Sequence, residues 1–158
     1  MSAPDAHLLS LAIRWVHVAS MALALGGALL VCGLSVGDRP DRLPLDQLLL
    51  GVAVRYEWLF WGALGLLVIT GLGNIGYVAA AVPEPRPAWS HTLAVKLVAV
   101  LGLMAFSLVR TLVVVRLRTA SPSSMSAPPS RGLLQTLYAT TALALASILG
   151  LAIWLAHG

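Results

Sequence analysis

Charge is what this sequence has least of. Of its 158 residues only 10% are Asp, Glu, Lys or Arg, while 59% are hydrophobic. A soluble domain has roughly a quarter of its residues charged, so the deficit excludes an ordinary soluble fold and points to an integral membrane protein. The single cysteine, Cys32, excludes an intramolecular disulfide, a CxxC metal site and c-type haem attachment, and leaves helix packing as its role. Methionine is also sparse: beyond Met1 there are Met21, Met104 and Met125, little from which to build the thioether sites that Cu(I) favours. The first residues, MSAPDAHLLS, lack the basic region that precedes a signal-peptide core, so the first apolar run is expected to be retained. Neither a serine-histidine-acid set, a phosphate loop nor paired intramembrane carboxylates occur, and no two-half transporter repeat is visible. Hydrolase and nucleotide-driven mechanisms are therefore unsupported.

Four apolar runs are present, each able to cross a bilayer with the roughly 20 residues that a helical span needs. Span one covers approximately Leu8 to Leu34, span two about Leu48 to Val82, span three roughly Ala88 to Leu117 and span four about Arg131 to Ala156. Pro40 and Pro44 mark a loop after span one, and PEPRP, Pro83 to Pro87, a rigid turn before span three. The low-complexity run from Thr119 to Ser130 reads as a flexible loop. The expected fold is one all-α transmembrane domain over residues 1–158. Short connections make an up-down-up-down four-helix bundle the economical architecture, with Gly26, Gly27, Gly62, Gly65, Gly71, Gly73 and Gly102 allowing close helix approach.

The formal charge of +4 does not indicate nucleic acid, because the arginines fall between apolar runs where they act as topology signals. Arg39, Arg42, Arg116, Arg118 and Arg131 lie on one side of the membrane and Arg86 on the other. Basic residues are enriched in cytoplasmic loops, so both termini are expected on the non-cytoplasmic side. His7, His17, His91 and His157 then fall in the outer half or at the outer surface, and Arg55, Glu57, Arg110 and Tyr138 toward the cytoplasm. The Arg55, Glu57 and Arg110 group is expected to act as a structural ion-pair clamp, a quinone or proton site being the sharper alternative, with Tyr138, Thr140 and Thr141 supplying hydroxyls to helix packing.

Ionisable residues inside a span are expensive and tend to be functional, which singles out His17. Arg14, His17 and Met21 share one helical face by their spacing of three and four. There a histidine can be an axial haem ligand, with Arg14 placed to pair a propionate, or can simply bond a neighbouring helix. Two candidates for an opposite ligand open span three, His91 and, roughly 7 Å deeper at 1.5 Å per residue, Lys96. Lys96 matches the depth of His17 at least as well, but it also reads as a snorkelling lysine, a propionate partner or an anion site. His17 with Met21 is the plausible local pair for copper.

The runs RWVHVASMALALGG from Arg14, LLVITGL from Leu66 and AWSHTLAVKLVAV from Ala88, with Arg55 and the basic stretch Arg110 to Arg118, together resemble the bacterial copper-resistance protein D (CopD) family of membrane proteins. The layout is more distantly similar to HemJ-type protoporphyrinogen oxidase, through Trp89, His91 and Lys96. Here, however, the lysine stands five residues after the histidine and not two, and RGLLQTLYATTALA lacks that family's asparagine-glutamate-proline signature. The CopD resemblance implies a multi-pass protein of the bacterial inner membrane and copper uptake; copper binding or translocation using His17, Met21, His91, His7 and His157 is the second expectation. A minimal four-helix core of this kind also suits a b-type cytochrome. The leading expectation is haem b held by His17 and His91, with Lys96 in reserve and Arg14 and Arg86 balancing propionate charge. The protein would be a non-catalytic electron-transfer subunit, in contact with lipid and with other subunits of a membrane redox complex. A cofactor-free structural subunit and a HemJ-like oxidase remain as further alternatives.

Overall fold

The computed structural model describes residues 3–36, 43–81, 87–119 and 131–157. They form four helices: α1 (Ala3–Ser35), α2 (Leu43–Ala81), α3 (Pro87–Thr119) and α4 (Arg131–His157). Each contains a stretch long and apolar enough to cross a bilayer: His7–Ser35, Gln47–Gly73, Leu93–Thr119 and Arg131–Trp154. That is the signature of a multi-pass membrane protein. All four helices lie close to the apolar runs of the sequence, with differences at their ends. Pro44, expected in a loop, is the second residue of α2, because the first turn of a helix has no backbone partner for the missing N–H. Thr119, expected to start a loop, closes α3, and Pro87, expected to end a rigid turn, opens it; residues 120–130, Pro40, Val82 and residues 83–86 lie outside the described residues.

α1 packs against α2 and α4, and α3 against α4 and α2. Most apolar side chains nevertheless face outward: Trp15 is 73% exposed, Trp58 80% and Leu143 69%. Such exposure in water would be an aggregation hazard; in lipid it is the expected exterior.

The tightly packed core occupies one part of the assembly. It gathers Ala24, Ala28 and Val31 of α1, Tyr56, Phe60 and Leu64 of α2, Leu103 and Val114 of α3, and Leu134, Tyr138 and Leu145 of α4. Elsewhere packing is open. Among the described side chains the first buried one of α1 is Ser20 and the first of α3 is Leu103, and beyond Leu64 the only buried one of α2 is Thr70. His17 and Lys96 belong to this open part.

Small residues are used selectively. A methyl group added at Gly27 would run into the Tyr56 ring, and one at Gly71 or Gly73 would touch His17 or Ile13. Gly26, Gly62, Gly65 and Gly102, expected to admit neighbouring helices, face open space.

Candidate functional site

Two polar groupings stand inside these apolar helices. The larger is centred on Glu57 of α2 and Arg110 of α3, both buried. Arg110 Nε donates to Glu57 Oε1 at 2.8 Å and Nη2 donates to Oε2 at 3.1 Å. The same carboxylate accepts from the Tyr138 hydroxyl at 2.7 Å and the Thr111 hydroxyl at 2.5 Å. Arg110 Nη1 donates to the Thr141 hydroxyl at 2.7 Å, and the Trp61 indole donates to Thr111 at 3.0 Å. The guanidinium carbon also lies 4.3 Å from the Phe60 ring centroid and within 5.4 Å of the rings of Tyr56 and Tyr138, so aromatic faces replace part of its lost hydration.

A buried ion pair persists only when its remaining donors and acceptors are satisfied, and here both carboxylate oxygens are doubly bonded. α2, α3 and α4 are thereby joined at one point, which leaves the pair little freedom to exchange a proton or bind a ligand. The sequence-level clamp of Arg55, Glu57 and Arg110 thus holds for two members and not the third: Arg55 is exposed. Tyr138 and Thr141 do supply packing hydroxyls, whereas Thr140 is exposed. One buried polar side-chain atom among the described residues, Ser107 Oγ, has no partner.

The second grouping is smaller and chemically less committed. His17 of α1 is half-buried, and its Nδ1 lies 2.8 Å from the Thr70 hydroxyl of α2. That hydroxyl lies 2.5 Å from the Leu66 carbonyl one turn earlier. A carbonyl can only accept, so the one Thr70 proton points to Leu66 and the oxygen must accept from His17. Nδ1 therefore carries the imidazole proton, and Nε2 keeps its lone pair. The backbone of Leu67, next to Leu66 on the same helix, also lies against the His17 ring. Lys96 of α3, also half-buried, is near enough for its charge to act on this imidazole.

The other expected site residues are placed as follows. Arg14, one turn before His17, is exposed, and Met21, one turn after it, packs against the core cluster. His91 and His7 are exposed, and no described contact joins either to His17. His157 closes α4, and Arg86 lies outside the described residues. Thr70 is the participant that sequence reasoning missed. Its signal was present, since between Trp61 and Gly73 it is the only side chain in span two with a hydrogen-bonding group.

Among the described residues no three His, Cys, Asp or Glu side chains converge. The grouping at His17 therefore offers one well-oriented imidazole and a nearby ammonium, and not a ready-made all-protein cage. No family model, curated protein or solved structure matches the chain.

Proposed function

We propose that the chain is a haem b-binding electron-transfer protein of the bacterial inner membrane, CopD-like, arranged up-down-up-down with both termini on the non-cytoplasmic side, and acting as a subunit of a larger redox complex. The observation that carries the reading is the hydrogen bond from His17 Nδ1 to Thr70, itself tied to Leu66. Metal-ligating histidines almost always donate their other ring N–H to a fixed acceptor, which sets tautomer and ring orientation. His17 meets that condition inside an apolar span.

Haem also suits what surrounds His17. The porphyrin brings four of its own nitrogen ligands and asks only one or two of the protein, which matches a site with one prepared imidazole. Few side chains around His17 and Lys96 are buried, so a flat apolar group could complete the packing there. Arg14, one turn toward the start of α1, and Arg86 are the propionate partners. Bound there, haem iron would supply reversible one-electron transfer at a potential set by axial ligand, burial and hydrogen bonding.

Register ranks the opposite candidates. Arg118 shares a groove with Leu50 and Val54, Arg110 bonds Glu57, and Trp61 bonds Thr111. Carried along antiparallel helices to Thr70, this register brings α3 level with His17 at about Val100, roughly one turn from Lys96 and two and a half turns from His91. Lys96 therefore takes precedence over His91 on the side of α3. Copper is the weaker reading, because Met21 is engaged in core packing.

The test is a visible spectrum of protein purified from membranes in mild detergent. A Soret band with α and β bands that sharpen on reduction is expected, and it should disappear or change spin state in His17→Ala. Copper without haem in metal analysis, or a His17→Ala spectrum identical to wild type, would overturn the assignment.

A further inference from the structure

A different group of residues stands together at the other end of α2. A groove between α2 and the end of α3 is lined by Gln47, Leu50, Val54, Arg55, Trp58 and Arg118. Two of these are arginines from different helices, and no acid is among them. Neither arginine makes an ion pair or hydrogen bond with any described residue. The nearest acid in sequence, Glu57, is turned inward and saturated by Arg110, Tyr138 and Thr111, so it cannot neutralise Arg55.

Arg55 stands eight residues after Gln47, where the apolar stretch of α2 begins, or about 12 Å along the helix axis. An arginine at that depth needs an anionic partner or a path to the interface. The groove wall beside it is apolar, and Trp58, on the same face one turn later, is 80% exposed. Paired cations above an apolar wall match one ligand class: a negatively charged phosphate carrying acyl chains. Basic pockets between transmembrane helices take acidic headgroups for the same reason.

We infer that this groove binds an acidic glycerophospholipid, with the headgroup phosphate between Arg55 and Arg118 and an acyl chain along Leu50, Val54 and Trp58. The site would add a lipid-mediated link between the basic end of α3 and α2.

The experiment measures lipid retained by the purified protein, by native mass spectrometry, after incubation with mixed micelles containing phosphatidylglycerol or phosphatidylcholine. Wild type should retain phosphatidylglycerol selectively, and Arg55→Gln with Arg118→Gln should lower that retention about tenfold or more. Since neither side chain bonds a described residue, the double variant should unfold at the wild-type temperature in lipid-free detergent. A measurement on the unaltered protein stands beside it: high salt should release phosphatidylglycerol, and inorganic phosphate at millimolar concentration should not displace it. Equal retention of the two lipids by wild type, retention that survives in a folded double variant, or displacement by inorganic phosphate overturns the inference.

Discussion

The Thr70 hydroxyl stands between His17 and the backbone of its own helix, accepting from the imidazole at 2.8 Å while donating to Leu66 at 2.5 Å. The only groups that can take the Thr70 proton in this direction are backbone carbonyls, Leu66 at 2.5 Å and Leu67 at 3.4 Å. The arrangement sets the free nitrogen of His17 without any charged partner, so the ring is oriented and remains neutral when Nε2 is bound by a metal centre.

Thr70→Val keeps the shape of the side chain and removes the acceptor. Loss of an outer partner of a ligating histidine lowers metal affinity by about 10–100-fold, so haem titration followed at the Soret band should show a fall of that size. Thr70→Ser should retain most of the affinity. The tautomer has its own readout: nitrogen-15 chemical shifts of the haem-free protein should show a protonated Nδ1 in wild type and a mixture of tautomers in Thr70→Val. A wild-type spectrum with the proton on Nε2 would defeat the argument directly.

The Glu57–Arg110 pair is expected to hold the helices together and not to take part in chemistry. Removing one partner of a buried pair leaves the other charge unpaired, at a cost of about 3–5 kcal/mol. Glu57→Leu and Arg110→Met should each lower the thermal unfolding midpoint, measured by circular dichroism in detergent. The double variant should lose less than the sum of the two, because it leaves no lone charge. Additive losses would mean that the two side chains act independently.

The four helices were legible in the sequence because a bilayer demands about 20 apolar residues per crossing, and α1 and α4 follow the predicted spans to within a few residues at each end. Which way each helix faces was not legible. In lipid the exterior is as apolar as the core, so no amphipathic stripe marks the packed side, and Trp58 and Phe60, two residues apart in the same apolar run, end at 80% and 0% exposure. The same limit hid the bond between His17 and Thr70, which lie 53 positions apart. Polar residues were the exception. Glu57 and Arg110 announced a pairing because isolated charges in a span need partners, but spacing alone could not separate Arg55, which faces outward, from Glu57, two residues on.

Gly27 and Gly26 are adjacent and should respond in opposite ways. A β-carbon at Gly27 meets the Tyr56 ring, whose hydroxyl donates to the Ala24 carbonyl at 2.6 Å, whereas Gly26 has no neighbour within 4 Å. Gly27→Ala should destabilise by about 1–3 kcal/mol through overpacking. Gly26→Ala should be neutral or stabilise by up to about 1 kcal/mol through helix propensity. In a Tyr56→Ala background the cost of Gly27→Ala should vanish; if it persists, the clash is not with Tyr56.

The last prediction separates the two candidate partners on α3. Lys96 is half-buried and its charge reaches His17, whereas His91 is exposed in the first turns of the same helix. A residue acting on a group bound at His17 has to share its depth, and about 1.5 Å per residue puts His91 roughly 7 Å nearer the start of α3 than Lys96. His91→Ala should therefore leave haem content and the reduced spectrum at wild-type levels. Lys96→Ala should shift the midpoint potential downward if the ammonium acts as a nearby positive charge, since losing it favours the oxidised, more positive iron. It should convert the spectrum from low to high spin if the amine ligates. Magnetic circular dichroism of the oxidised protein distinguishes these two outcomes. Loss of haem in His91→Ala with an unaltered Lys96→Ala protein would instead show that α3 is displaced along its axis by roughly two and a half turns from the register set by Glu57, Arg110, Trp61 and Thr111.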